Sequence, residues 1–200
     1  MDRRLFLRCV GCSSAIAAAS HSELWPEFLG GIQNVCAFDS PAGLSSVEAR
    51  YYKKLEEGGI ECELCPRKCR ITDLERGYCG VRENRGDVYY TLVYGRPCSM
   101  NIDPIEKKPL YHFYPGTTAF SLATAGCNVN CKFCQNWEIS QARPEQVDNI
   151  ELPPSGVIDI CKQRSVPIIA YTYSEPIVFY EYMYDIAELG HKHSIKSVMI

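Results

Sequence analysis

Cys127-Asn128-Val129-Asn130-Cys131-Lys132-Phe133-Cys134 has the form C-x3-C-x2-C. Three thiolates on one short loop can each bind one iron of a cubane cluster. A ferredoxin would supply a fourth cysteine soon afterwards, often followed by proline. Here Gln135-Asn136-Trp137 follow, and the next cysteine is Cys161, inside a predicted helix. One iron would then lack a protein ligand. An open coordination position is what a cluster needs to bind a substrate or cosubstrate directly. The same spacing also suits a zinc loop, or an ordinary cluster with a distant fourth ligand.

Outward from the loop, the pattern is that of an α/β chain. Thr118 to Thr124 reads as a short apolar strand that ends in Gly126. Residues 156–163 predict a short helix. Val166 to Tyr173 is a continuous apolar run, typical of a buried parallel strand. Pro176 stands near the start of a helix through Leu189, where proline is tolerated, and Gly190 is its expected stop. Ser197 to Ile200 begins a further apolar run. The order β-α-β-α-β implies parallel strands joined by right-handed crossovers.

Cys127, Cys131, Phe133 and Cys134, placed after a strand, match C-x3-C-x-aromatic-C, and with it the chain resembles the radical SAM enzymes. The resemblance implies a partial (βα) barrel, about its first three strands, with the chain ending inside the third. It implies a [4Fe–4S] cluster on the three thiolates, its open iron chelated by the amino and carboxylate groups of S-adenosylmethionine. One electron from the reduced cluster would cleave the S–C5′ bond, and the resulting 5′-deoxyadenosyl radical would abstract a hydrogen atom from a substrate. The cofactor carries that chemistry and the protein positions it, so no catalytic residue beyond the cluster and the SAM site is implied. Phe133 would pack near the adenine. Ser174-Glu175-Pro176 stands where the family usually has a Gly-Gly-Glu-like tripeptide. Glu175 would accept a hydrogen bond from the methionyl ammonium, a charge-assisted contact. Without the glycine pair, Ser174 is a candidate contact only. Read alone, Glu175 is a carboxylate at a helix N-terminus, which the macrodipole favours.

A second set, Cys62, Cys65, Cys69 and Cys79, is spaced C-x2-C-x3-C-x9-C. Four thiolates close either a tetrahedral zinc site or a second cubane, with no vacancy, so the role would be structural or electron relay. The surrounding residues 60–80 are too small and charged to hold a core unaided, so a metal would organise them. Residues 44–116 are expected to hold a helix, this metal-binding segment and a hairpin. The helix rests on the capping box Ser45-Ser46-Val47-Glu48 and on Leu44, Val47, Tyr51 and Leu55 at helical spacing, ahead of Gly58-Gly59. The hairpin rests on the turn Asn84-Arg85-Gly86-Asp87 before Val88 to Tyr94. Residues 97–116, with prolines at 97, 104, 109 and 115, are expected to be an extended connector. The motifs C-x2-C-P-x2-C, Gly-Tyr-Cys-Gly-Val-Arg-Glu-Asn (77–84), Leu-Val-Tyr-Gly-Arg-Pro (92–97), Ile-Asp-Pro-Ile-Glu-Lys-Lys-Pro-Leu (102–110), Cys-Gln-Asn-Trp-Glu-Ile-Ser (134–140) and Tyr-Thr-Tyr-Ser-Glu-Pro (171–176) resemble the AmmeMemoRadiSam-system radical SAM proteins. These are relatives of pyruvate formate-lyase activating enzyme. An activase that makes a glycyl radical on a partner protein is one option this leaves open; action on a small molecule or another macromolecule is the other. A reductant such as flavodoxin or ferredoxin is the implied redox partner.

Composition sets the outer bounds. The chain has 200 residues, a net charge of −3 and 46% hydrophobic residues, enough to bury a core. No charge excess points to nucleic acid, and no apolar run reaches the roughly 18 residues of a membrane span. Of 12 cysteines, seven read as metal ligands and five (Cys9, Cys12, Cys36, Cys98, Cys161) as small apolar residues. Arg3-Arg4 and the stretch to Ala17-Ala18-Ala19 resemble a twin-arginine export signal, with 21–43 as linker. Such signals export folded cofactor proteins, whereas the SAM chemistry favours the cytoplasm; both locations stay open. His112 and the pair Lys107-Lys108 read as packed and solvated residues respectively. The rival function is a non-enzymatic iron–sulfur or zinc electron-transfer module.

Overall fold

Phe120 and Leu122 face one side of strand β8 (Thr118–Ala123) and Ala119 the other, and all three are buried. That pattern places β8 in the middle of a sheet covered on both faces. The structure is a computed structural model and describes residues 43–200. β8 pairs in parallel with β9 (Ile168–Tyr171), which pairs in parallel with β10 (Lys196–Met199). On its other side β8 pairs antiparallel with β7 (Ser99–Pro104), giving the spatial order β10-β9-β8-β7. Between β8 and β9 lie the single turn α1 (Trp137–Ser140) and helix α2 (Pro154–Gln163). A 3-10 turn (Pro176–Phe179) and helix α3 (Tyr180–Lys192) join β9 to β10.

The two helices pack on one face. Val157, Ile158 and Cys161 of α2 and Tyr182, Met183 and Ile186 of α3 close on Phe120, Leu122, Ile169 and Tyr171. The opposite face carries Ala119, Ile168 and Ala170 under Ile105, with Leu110 and Phe113 against them. The sheet is open, with β10 and β7 at its edges, and the described residues form no closed barrel. No helix among them is long and apolar enough to cross a membrane.

Ahead of this sheet sit two small antiparallel ones. One is β1 (Val47–Glu48), β6 (Val88–Thr91) and β5 (Arg82–Arg85), in that order. The other is β2 (Tyr52–Lys54), β3 (Ile60–Cys62) and β4 (Arg70–Ile71). The β5–β6 hairpin turns at Gly86 and Asp87, whose φ values of 58° and 60° are those of the two-residue turn that matches strand twist.

Three local expectations are corrected. The helix expected after Ser45 is absent, and the segment forms β1 and β2 instead. The Ala49 N–H donates to the Tyr89 carbonyl at 2.7 Å, and Glu48 accepts from Tyr52 Oη rather than closing a capping box. A free edge of β6 and a buried site for Ala49 outweigh a local cap signal. The expected connector 97–116 contains β7 as an edge strand, where Pro104 needs no ladder donor. Gly190 does not stop α3, which runs on to Lys192. It is buried between the helices beside Ile158, where an added Cβ would make only an ordinary contact at 3.5 Å, and its helical backbone lets α3 continue.

Candidate metal and cofactor site

The cysteine loop leaves the C-terminal end of β8 through Gly126. This residue has φ +84°, and an added Cβ there would lie 2.5 Å from the Cys79 carbonyl oxygen and also strike Val81 Cγ1. Only glycine permits that turn and that approach. The Gly126 N–H donates to the Ile139 carbonyl of α1, which closes the loop on itself. Within it Cys127 is half-buried, and its Sγ accepts the Val129 N–H at 3.4 Å. Cys134 is half-buried, with Sγ 3.2 Å from Ser140 Oγ. Cys131 is exposed, and Phe133 is 91% exposed.

The second predicted element arrives at the same end of the sheet. Ser174, just past β9, donates its hydroxyl to the Thr124 carbonyl, just past β8, at 3.1 Å. Its role in the structure is therefore to tie two strand ends together. Asn136 of the cysteine loop donates to the Tyr173 carbonyl at 3.0 Å, across the gap to the adjacent strand end. Tyr173 has φ +69°. Glu175 is half-buried at the head of the 3-10 turn and does not cap it. Cys127, Cys131, Cys134, Ser174 and Glu175 are thus brought to one end of the parallel strands.

The four-cysteine segment lies directly beside this loop. Cys62 ends β3, Cys65 and Cys69 sit in the turn to β4, and the Cys62 N–H donates to the Cys69 carbonyl at 2.9 Å. All four cysteines line one small cavity with Tyr89, Arg82 and Asn128. Arg67, between Cys65 and Cys69, lies over the Tyr78 ring and donates to the Asn128 carbonyl next to Cys127. As placed, no three His, Cys, Asp or Glu side chains among the described residues converge on a single metal position.

The cysteines separate into two chemical kinds. Burial pushes the Cys79 thiol up to about 11 and raises that of Cys62, against a smaller lowering from the nearby backbone amides of Val81 and Leu64 respectively. Amides aimed at sulfur favour the thiolate. Cys161 has only burial acting on it, which raises its thiol to about 11, and it packs in the main core. Cys98 packs against that core too. Both are apolar residues, as their isolated positions in the sequence suggest.

Sequence reading missed two polar constellations. Arg82 and Glu181 form a buried ion pair, with Arg82 Nη1 donating to Glu181 Oε1 at 3.0 Å, Nη2 to Oε2, and Nε to the Val178 carbonyl at 3.2 Å. Burial opposes the Arg82 charge, but the Glu181 carboxylate outweighs it and raises the guanidinium above its ordinary value. The pair fastens α3 to the cysteine-bearing sheets. The second constellation is on the helix-free sheet face. Lys108, only 3% exposed rather than solvated, donates to Asp103 Oδ2 at 2.9 Å, and Tyr173 Oη donates to the same oxygen at 2.7 Å. Burial would raise the Asp103 pKa, but hydrogen bonds from Lys107, Lys108 and Tyr173 prevail and hold it well below the carboxylate range. Register puts Asp103 opposite Ala119 and Asn101 opposite Ser121, so all four share that face. The Ser121 hydroxyl is buried there without a partner. Nothing in a run of separate Asp, Lys and Tyr residues announces either cluster. A cleft of about 780 Å³ between the Cys79 and Cys127 loops, lined also by Arg76 and Arg143, touches neither Phe133 nor Glu175.

Arg3-Arg4, the 21–43 linker apart from Gly43, Cys9, Cys12 and Cys36 lie outside the described residues. Comparison with known proteins finds two relatives from Methanocaldococcus jannaschii. Uncharacterized protein MJ0808 is 46% identical over 153 residues, which is 76% of this chain and 46% of that protein. Uncharacterized protein MJ0674 is 33% identical over 81 residues, 40% of this chain and 19% of that protein. The chain thus spans less than half the length of either. No protein-family model and no solved structure matches it.

Proposed function

We propose that this chain carries the cofactor-binding part of a radical SAM enzyme. The observation that carries the reading is the meeting of two elements at one end of the parallel strands. One is the C-x3-C-x2-C loop leaving β8; the other is Ser174-Glu175 leaving β9, held beside it through Asn136. The donor set suits a cluster with one open position. Three thiols sit on an accessible loop, and the remaining described cysteines are either core residues or members of the second set.

Cys127, Cys131 and Cys134 would hold a [4Fe–4S] cluster, which when bound supplies one electron to cleave S-adenosylmethionine at its open iron. Glu175 would accept the methionyl ammonium, and Phe133 would lie against the adenine. The helix-free sheet face, with Asn101, Ser121 and Tyr173, would receive the substrate. Flavodoxin or ferredoxin would be the electron donor, and the substrate would be a small molecule or a partner protein bearing a glycyl-radical site.

The test is anaerobic reconstitution of the full-length protein with iron and sulfide, then reduction with S-adenosylmethionine present. 5′-Deoxyadenosine should form, and Cys131→Ala should abolish it together with the cluster. A reduced, cluster-loaded protein that forms none would overturn the enzyme reading in favour of an electron-transfer module. Turnover that survives Cys131→Ala would overturn the ligand assignment.

A further inference from the structure

We propose that Asp103 and Lys108 are positioning residues for the Ser174-Glu175 element and that they act through Tyr173. The assignment rests on Glu175 as the acceptor of the methionyl ammonium, and it adds to that site two residues that no cysteine motif reaches. Tyr173 has φ +69°, a left-handed backbone that a residue with a Cβ disfavours. Such a conformation persists only where its surroundings hold it. It matters here because the chain turns at Tyr173 into the element beside the cysteine loop. The Ser174 N–H closes back on the Thr172 carbonyl at 2.9 Å, and the Ser174 hydroxyl reaches the Thr124 carbonyl at 3.1 Å. The Glu175 side chain makes no cap hydrogen bond to the 3-10 turn that follows it, so its direction is inherited from the backbone that Tyr173 turns.

The hold on Tyr173 comes from the far side of the sheet. Its hydroxyl donates to Asp103 Oδ2 at 2.7 Å and accepts from Asn101 Nδ2 at 3.3 Å, and both partners stand on β7. Because β7 and β9 flank β8, the Tyr173 side chain crosses β8 to reach them. The β8 residues on that face, Ala119, Ser121 and Ala123, are small and leave room for the crossing. Lys108 Nζ donates to the same Asp103 oxygen at 2.9 Å and lies 4.6 Å from the centre of the Tyr173 ring. Lys107 holds the other Asp103 oxygen at 2.9 Å. The carboxylate is thus fixed by two cations and by its strand, and hydrogen bonds to charged groups are the strong ones. At the main chain, Asn136 of the cysteine loop donates to the Tyr173 carbonyl at 3.0 Å. Tyr173 therefore joins the Asp103–Lys108 pair at its hydroxyl to the cysteine loop at its carbonyl, with Ser174-Glu175 next in the chain.

The experiment is a double-mutant cycle on the full chain, reconstituted anaerobically and kept oxidised so that S-adenosylmethionine is bound without being cleaved. Titration calorimetry measures its Kd for the parent, Asp103→Asn, Tyr173→Phe and the double variant. Each single variant should weaken binding about tenfold, the order expected when one hydrogen bond to a charged group is lost. The double variant should be no weaker than either, because both changes break one link. On reduction, the KM for S-adenosylmethionine should rise by the same factor, with the saturated rate of 5′-deoxyadenosine formation unchanged. Before reconstitution, hydrogen exchange of the amides in 172–178 should quicken in both single variants while that of β8 stays as in the parent. Tyr173→Phe keeps the ring over Lys108 and carries the test should Asp103→Asn fail to fold. Additive losses in the cycle, unchanged affinity, or unchanged exchange would each overturn the positioning role and leave the SAM reading standing. A cluster-loaded parent that binds no S-adenosylmethionine would overturn that reading and the positioning role with it.

Discussion

Replacing Glu181 by alanine removes the carboxylate that, among the described residues, pairs with Arg82 in the contact between α3 and β5. Arg82 and Glu181 are 1% and 2% exposed. Glu181 Oε1 accepts both Arg82 Nη1 at 3.0 Å and the Arg50 backbone N–H at 2.6 Å, and Oε2 accepts Arg82 Nη2. The substitution leaves a guanidinium in the interior with the Val178 carbonyl as its remaining acceptor. Breaking a buried pair in this way costs about 3–5 kcal/mol, because the surviving charge is neither paired nor hydrated. In a domain of this size each kcal/mol lowers the melting temperature by about 2–4 °C. Urea or thermal denaturation followed by circular dichroism should therefore show a fall of about 6–20 °C. The companion variant, Arg82→Met with Glu181→Leu, replaces the pair by apolar groups and should recover most of the loss. A Glu181→Ala protein that loses less than about 1 kcal/mol, or a double variant as unstable as the single one, would refute the assignment of this pair as the tether.

Other perturbations follow from the same geometry. Gly126→Ala forces a Cβ into the Cys79 carbonyl at a positive φ and should cost about 1–3 kcal/mol; unchanged stability in denaturant titration would contradict the close approach. Leu122→Ala, in the fully buried centre of β8, should cost about 2–5 kcal/mol, and a urea midpoint close to that of the parent would show that the sheet core lies elsewhere. Asp103 has a depressed folded pKa, so its contribution is complete above the unfolded value of about 3.9 and is lost as pH falls below it. The stability gap between the parent and Asp103→Asn should accordingly be constant at neutral pH and shrink in acid; a gap that widens in acid would reverse the sign.

Periodicity placed β8, β9 and the two helices because their apolar faces are buried, so local and tertiary preferences agree; β10 is a short, largely exposed edge strand. Periodicity failed between residues 44 and 60. Leu44, Val47, Tyr51 and Leu55 satisfy a helical template, yet β6 and β3 offer unpaired edges, and Tyr51 takes φ +60° to pass from one sheet to the other. Partner strands that arrive from later in the chain are invisible to a local window. Lys108 fails for a related reason. A lysine pair looks solvated until Asp103 and Tyr173, 65 residues apart from it in the latter case, close around one of its members.

The cysteine spacings by themselves sorted seven thiols into two candidate ligand groups, Cys62/Cys65/Cys69/Cys79 and Cys127/Cys131/Cys134. They also left Cys98 and Cys161 as apolar residues, which their core positions bear out. Only the tertiary structure decided that the two cysteine groups are neighbours, through Gly126 against Cys79 and Arg67 on Asn128. Spacing reports which donors can meet, whereas the charge and the packing around them depend on residues such as Arg82, Tyr89 and Glu181 that fold in from elsewhere.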